Sequence, residues 1–402
     1  MRKIFFVALY FASANAFSQT VKILFDATKA ESANNADWVI DADLHNLGWN
    51  PGAQINGGNE SNAQRFPTAA QSAITASTPE TYWDGALSNW GIDCVKQGYE
   101  VETLPYNGSI TYNNTANPQD LVNYKIFIVC EPNILFTTAE KTALLNYVYN
   151  GGSLFMISDH DQSDRNGDGH DSPNIWNNLM SANPFGITFN LNNYSQTSNS
   201  VIASLTDSVA SGLYGHVTEV LWSNGTDMTL DTTINPTAKG VVFKSGLLND
   251  NAAVMFAYAR YGKGKVAAMG DSSPADDGSG DSNDALYNGY IADANGNHRK
   301  LIMNATVWLA ATNSTVGIND TQSEINKVDI FCAQKNLFVK NNSEQEVTLK
   351  VFDTMGKIIF ENSVSKNEEE KKYSLSNFKS GIYIVKAIGN KNIFTKKIII
   401  TD

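Results

Sequence analysis

The sequence predicts an α/β protein, a parallel β-sheet flanked by helices, followed by a small all-β module. Three observations carry this. Apolar runs of strand length alternate with helical stretches as far as residue 311. Acidic or hydroxyl residues close most of those runs. Past Asn313 the chain turns Lys- and Glu-rich, loses its tryptophans and shows short segments of alternating polarity. Strands that alternate with helices build parallel sheets, whereas short alternating strands bounded by turn residues build antiparallel ones.

The run VKILFD at 21–26 is of β type and ends on Asp26, and the Asn- and Gly-rich stretch 27–78 has weak periodicity and reads as long loops. Over 82–97, Trp83, Leu87, Trp90 and Cys94 recur at helical spacing, and Gly98 supplies the C-cap. Residues 99–104 form the next strand. The pattern then repeats: 125–130 is a strand, Thr137 caps a helix running to Tyr149, Gly151-Gly152 ends it, and 154–157 is a strand. Further strands are expected at 240–243, 252–258 and 265–269, and a final amphipathic helix at 299–311. In open sheets of this kind ligands gather outside the carboxyl ends of the strands. Asp26, Glu131, Ser158-Asp159-His160 and Asp271-Ser272 each fall at such an end, so four segments should converge on one crevice. In the C-terminal part, strands at 347–352, 356–360, 381–388 and 392–400 point to a β-sandwich.

A chain of 402 residues with 42% hydrophobic composition supports one large core and a smaller one, divided here as 20–313 and 314–402. The net charge of -12 and pI near 4.9 argue against nucleic-acid binding, which needs clustered Lys and Arg. Arg2 and Lys3, the apolar run 4–12 and Ala14-Asn15-Ala16 have the form of a secretory signal over residues 1–19. No later segment approaches the roughly 20 consecutive apolar residues that span a bilayer. Cys94, Cys130 and Cys332 show no metal-type spacing, which excludes a disulfide framework and leaves Cys130 as a core residue.

The strongest chemical signal is SDHDQSDRNGDGHD at 158–171, with five aspartates and two histidines in fourteen residues. Acids packed this closely raise one another's pKa, so such a cluster holds a cation, shares protons or faces open water. Asp164-Arg165-Asn166-Gly167-Asp168-Gly169 matches the opening of a calcium loop, in which alternate oxygens point inward. Its twelfth position, where a bidentate acid belongs, is Ile175, so it is no EF-hand and further ligands must come from Asp161 or Asp171. Ca2+ held by Asp164, Asn166 and Asp168, with His170 and Asp171 beside them, is the expected cofactor.

His160 and His170 add nitrogen, which zinc, iron or manganese accept more readily than calcium does. With Asp159 or Asp271 they suit an open catalytic site for a divalent metal and its water. Alternatively His160 is a general base, with Ser158 or Ser272 as nucleophile. Asp271, in the second acidic segment 270–278, is a ligand, an orienting carboxylate or a helix cap. Trp38, Trp49, Trp83 and Trp176 either rim a sugar site or belong to the core.

Two resemblances follow. The C-terminal segment resembles the sorting domain of the type IX secretion system of Bacteroidetes through VFDTMGKIIF at 351–360, LSNFKSGIYIVKA at 375–387 and KKIII at 396–400. That implies export across the outer membrane by the type IX machinery, to the cell surface or beyond it. The body resembles the class I glutamine-amidotransferase-like superfamily through FDATKAE, YKIFIVCEPN, GGSLFMISDHD and GKGKVAAMGDSS, which implies a flavodoxin-like sheet. In that family the turn after the strand matching 154–157 carries a nucleophilic cysteine between glycines. Here Ser158 stands at that place without glycines, and no His-x-Glu pair follows near Asp271, so glutaminase activity is not expected.

The sequence thus leads to a secreted, cation-containing hydrolase of polysaccharide-derived ester or glycosidic bonds, with Ser158, Asp159, His160 and Asp271 carrying the chemistry. The alternative is a non-catalytic extracellular module that binds a glycan or peptide and is shaped by a calcium-stabilised loop.

Overall fold

In the computed structural model the apolar runs pair into one nine-stranded sheet. The described residues are 20–33, 36–40, 71–79, 82–83, 85–278, 289–293, 295–311, 328–333, 335–342, 345–353, 356–389 and 393–400. The expected signal segment and Trp49 lie outside them. The chain divides into two compact units, residues 1–313 and 314–402.

The longer strands of the first unit are β1 (Lys22–Asp26), β2 (Glu100–Leu104), β3 (Ile126–Cys130), β4 (Ser153–Ile157) and β5 (Ile187–Phe189). After these come β6 (Tyr194–Ser198), β7 (Val220–Gly225), β8 (Met228–Leu230), β9 (Lys239–Phe243), β10 (Val254–Tyr261) and β11 (Gly264–Met269). The sheet order is β2-β1-β3-β4-β11-β10-β8-β5, with β9 also on β10, while β6 and β7 form a separate antiparallel pair. From β2 to β11 every pairing is parallel. Beyond β11 every pairing is antiparallel, so the sheet is mixed rather than wholly parallel as expected. The reason is local: only Gly262 and Lys263 separate β10 from β11, and a parallel crossover needs a dozen residues or more.

β3 and β4 are buried along their whole length, which accounts for their unbroken apolar sequence. The helices are α1 (Ser88–Lys96), α2 (Thr138–Tyr149), α3 (Ser172–Leu179), the single turn α4 (Gly289–Ala292) and α5 (Asn297–Ala310). α2 starts as expected, on a capping box between Thr137 and Glu140. α1 starts later than its periodicity suggests, because Gly85 at φ 91° turns the chain first. α3 has no counterpart in the sequence-based reading. Trp90 packs edge-on against Phe25 and Phe155, at centroid distances of 5.3 and 5.1 Å, at the centre of the core.

The second unit comprises β12 (Val328–Ala333), β13 (Asn336–Asn341), β14 (Val347–Phe352), β15 (Ile358–Val364), β16 (Glu368–Ser374), β17 (Gly381–Ile388) and β18 (Ile393–Ile400). They form two antiparallel sheets, β12-β13-β16 and β15-β14-β17-β18. The alternating burial along β14 turns Val347, Leu349 and Val351 into an apolar core that also holds Leu337, Val364 and Leu375.

Candidate active site

The ends of three adjacent parallel strands meet at one pocket. Glu131 follows β3, Asp159 and His160 follow β4, and Ser272 and Ser273 follow β11; all five line a cavity of about 220 Å³. Arg165 from the acidic loop and Ser223 and Asn224 of β7 complete the wall, and Ala33 and Trp38 close one side. The loop beginning at Ser158 and the turn beginning at Gly270 therefore face each other. Gly270 permits the tight junction with β7 and β8, since a Cβ there would stand 2.1 Å from the Thr226 carbonyl oxygen.

Glu131 is fully buried and sits in the left-handed region, at φ 49°. Such a conformation costs a non-glycine residue on the order of 1–3 kcal/mol and persists only where the surroundings enforce it. Here its N–H donates to the Ile157 carbonyl (2.9 Å), and the Asn133 amide group donates to the carbonyls of Glu131 (3.1 Å), Ala30 (2.6 Å) and Ser32 (3.0 Å). The constraint aims the carboxyl at Arg165, whose Nε donates to Glu131 Oε1 (3.2 Å) while Nη2 donates to Asp159 Oδ2 (2.8 Å). Ser272 Oγ donates to Glu131 Oε2 (3.0 Å).

The two carboxyls thus accept from neighbouring nitrogens of one guanidinium. Burial, then the charge of Asp159, pushes Glu131 well above the usual carboxylate range against the pull of Arg165. Burial also pushes Asp159 up to about 7, opposed by Arg165 and reinforced by Asp271. Two carboxyls sharing one guanidinium cannot both ionise cheaply, so near neutral pH the pair retains one proton, with Glu131 as its holder.

The expected site residues separate into distinct roles. His160 Nδ1 lies 2.5 Å from the Asp161 carbonyl oxygen and so carries a proton, which leaves Nε2 on the pocket side, 3.6 Å from Asp159 Oδ2. Ser158 is fully buried; its Oγ donates to the Asp159 carbonyl (3.1 Å) and lies 3.3 Å from Ser172 Oγ, so it does not line the pocket as a nucleophile would. The serine that does is Ser272. Asp271 is also buried below the surface: its carboxylate accepts from the amides of Ser273 (2.9 Å) and Ser223, and burial pushes it up to about 7. It orients the wall between β7 and β11 rather than facing the cavity.

In the acidic loop, Asp164 accepts from the amides of Gly167 (2.8 Å), Asp168 (3.2 Å) and Gly169 (2.7 Å). Asn166 donates to the carbonyl of Asn133 (2.5 Å) and to Asp168 (3.1 Å), and Asp168 accepts the amide of His170 (2.9 Å). Asp171 is the N-cap of α3 and also accepts the Gln162 amide (2.8 Å). Carboxylate and amide oxygens here retain lone pairs that suit a hard cation. The loop lacks its closing acid, because Ile175 is wholly buried in the core. Among the described residues no three His, Cys, Asp or Glu side chains stand together as metal ligands, and Arg165 occupies the cation's place between Glu131 and Asp159.

Of the tryptophans, Trp83 and Trp176 belong to the core, Trp176 donating to the Ile157 carbonyl (2.9 Å), and Trp38 lines the pocket. Asp26 is not among the lining residues and forms a second buried acid pair with Glu31 that burial pushes upward. Cys130 is a buried free thiol. Arg165 and Asn133 were not singled out from the sequence, and Glu131 was placed at a strand end without a role. The available signal was that Arg165 is the one cationic side chain fixed in charge inside the acidic run 158–171.

A family model described as the secretion system C-terminal sorting domain matches residues 333–401. The chain carries a type IX sorting domain. It is thus exported through the outer membrane, as a secreted or surface-exposed protein that associates with the type IX machinery. Among the described residues no helix is long and apolar enough to cross a membrane. No curated protein matches the chain.

Among solved structures, the mmIFT52 N-terminal domain is 14% identical at a TM-score of 0.41, over 72% of this chain and 98% of that one. Cytoplasmic protein STM1381 from Salmonella typhimurium LT2 is 12% identical at 0.38, over 71% and 99%. Gan42B, a GH42 β-galactosidase, is 15% identical at 0.28, over 69% and 34%. These are distant likenesses that carry no functional argument, and none supports a glutamine-amidotransferase-like body. What stands is a mixed α/β core with a partly parallel sheet, and a separate β-rich C-terminal unit.

Proposed function

We propose that the protein is an exported hydrolase that splits an ester bond on a polysaccharide fragment, with Glu131 and Asp159 as its acid–base pair. One observation carries this reading: two buried carboxyls that accept from one guanidinium open onto a pocket at the ends of parallel strands. Ionised Asp159 takes a proton from a water whose oxygen bonds to the ester carbonyl carbon. The C–O bond to the alcohol then breaks, and Glu131 gives its proton to the departing oxygen, releasing an acid and an alcohol. The proton gained by Asp159 returns to Glu131 through water in the pocket and restores the pair. Arg165 faces the negative charge that develops on the carbonyl oxygen, and His160 Nε2 borders the same space.

Glycosidases place their two carboxyls about 5–5.5 or 6.5–9.5 Å apart, on either side of the scissile bond. Glu131 and Asp159 instead accept from neighbouring nitrogens of one guanidinium, which holds them side by side rather than across a scissile bond and favours the ester over the glycosidic bond. The mutual neutralisation of Arg165 and the acid pair gives the alternative, a glycan- or peptide-binding module, its support. Titration of the full chain against acylated oligosaccharides, with ester release followed at constant pH, separates the two. Hydrolysis that Glu131→Gln abolishes while binding survives supports the enzyme; binding without release by the wild type supports the module.

The proposal includes calcium at Asp164, Asn166 and Asp168, as a stabiliser of the loop that carries Arg165. A thermal midpoint that rises with calcium, falls with chelator and loses this response in Asp164→Ala is the expected outcome.

A further inference from the structure

The acid pocket has an apolar neighbour. Ser223 and Ser273 line both it and a second cavity of about 170 Å³, which is bounded further by Leu221 of β7, Gly289 and Ala292 of α4, Asp293 and His298. A histidine in a cavity suggests chemistry, but here both ring nitrogens are engaged by backbone. Nδ1 donates to the Gly289 carbonyl (2.9 Å), and Nε2 accepts the Leu221 amide (2.9 Å). That fixes the neutral tautomer and turns the imidazole into a flat wall. Asp293 is likewise occupied, accepting the amides of Asn297 and His298 at the start of α5, and Ser273 Oγ donates to the Ser223 carbonyl (3.1 Å). Among the described lining, what faces a ligand is mainly hydrocarbon from Leu221 and Ala292, with the Gly289 backbone and the imidazole face beside it.

The two cavities meet at Ser223 and Ser273, whose amides are both accepted by the Asp271 carboxylate. The acid pocket presents Glu131, Asp159, His160 and Arg165 for chemistry, and the second cavity, which shares Ser223 and Ser273 with it, presents a mainly apolar surface on which the Asp293 carboxylate is already engaged by two amides. A cavity of about 150 Å³ lined by apolar side chains takes up benzene, so one of 170 Å³ has room for a single aromatic ring.

We propose that the apolar cavity is the acyl subsite of the hydrolase and receives an aromatic ring attached to the ester carbonyl. This rests on the hydrolase reading and narrows its substrate to aromatic acyl esters. Ala292, on the exposed face of α4, can be enlarged without touching the acid pair.

The test uses methyl benzoate and methyl acetate, which share a leaving group and differ in the acyl part. Ala292→Phe is expected to lower kcat/KM for methyl benzoate at least tenfold, the scale on which a pocket distinguishes apolar groups, and to leave methyl acetate within twofold. Equal losses on both esters, or no loss on either, overturn the subsite. Binding of benzyl alcohol to the full chain, followed by saturation-transfer NMR, provides a readout that needs no turnover. Saturable binding that weakens about tenfold in Ala292→Phe supports the subsite even if neither ester is cleaved, in which case the hydrolase reading alone fails. Absence of saturable binding in the wild type overturns the subsite even if methyl acetate is cleaved.

Discussion

The loop from Asp164 to His170 and the pair formed by Glu131 and Asp159 are both acidic, and they behave in opposite ways. The loop is dense in carboxylates, yet Asp168 is exposed and Asp164 is surrounded by backbone amides that satisfy its charge locally. The pair has two carboxyls, buried at the base of a pocket and facing one guanidinium. Desolvation, rather than density of acids, is what perturbs a carboxyl enough for proton transfer at neutral pH. The sequence advertises the first region and Asp159 at its edge, but not the pairing of Asp159 with Glu131, because burial depends on which strand ends the sheet brings together.

The largest effect expected to break or confirm this contrast is on turnover. Glu131→Gln keeps the shape and the contacts with Arg165 and Ser272 but removes the proton donor. Ester hydrolysis should fall by about 10²–10⁴-fold, the usual contribution of a positioned acid or base. Asp168→Asn in the exposed loop should leave the rate within twofold. Comparable losses in the two variants, read from initial rates at constant pH, would erase the distinction.

Next is the dependence of stability on pH. Asp159 and Asp271 are raised from 3.8 to about 7 in the folded protein. A group whose folded pKa lies above its unfolded value stabilises the fold below the unfolded pKa, and that stabilisation is lost as pH rises through the folded pKa. Each of these aspartates should therefore remove about 4 kcal/mol between pH 4 and pH 7, since one pKa unit corresponds to about 1.4 kcal/mol. Asp120 and Asp207, held low by hydrogen bonds and by Lys239, act in the opposite sense below their usual range. Urea midpoints should peak in mildly acidic buffer and fall toward pH 8, with a shallower fall in Asp271→Asn. A midpoint that rises steadily from pH 5 to pH 8 would show that these carboxyls are not buried as described.

Arg165→Met sharpens the contrast from the side of the cation. Removing one partner of a buried ion pair leaves the other charge uncompensated, at a cost of about 3 kcal/mol, toward the lower end of the usual range because the arginine is 22% exposed. The loss should be greatest above pH 7, where Asp159 is ionised, and should shrink at pH 5, as read from denaturation midpoints at the two pH values.

How far the sequence could go is visible in particular residues. Thr137 and Glu140 announce α2 because a capping box is complete within four residues, and the buried runs of β3 and β4 announce themselves by unbroken hydrophobicity. The rule that ligands collect at strand ends placed Glu131, Asp159, His160 and Asp271 on one rim. It did not say which would face the cavity. That choice depends on Asn133, which ties Ala30, Ser32 and Glu131 together, and on β7, whose partner β6 is separated from it by more than twenty residues. Asp271 takes the orienting role among its alternatives for the same reason: its carboxylate accepts two amides, one of them 48 positions away.

The smallest effect is expected where the sequence signal was strongest. Asp164→Ala removes an acceptor shared by the amides of Gly167, Asp168 and Gly169, a role close to that of a helix N-cap, whose loss costs about 1 kcal/mol. The amides lie on an exposed loop and regain hydrogen bonds from water, which keeps the penalty modest. The loop also carries Arg165, so slackening it should raise KM somewhat while leaving the acid pair chemically intact and kcat nearly unchanged. A thermal midpoint a few degrees lower with unchanged kcat fits a turn that positions a cation. Loss of kcat on the scale of Glu131→Gln would instead make this loop part of the chemistry and collapse the difference between the two acidic regions.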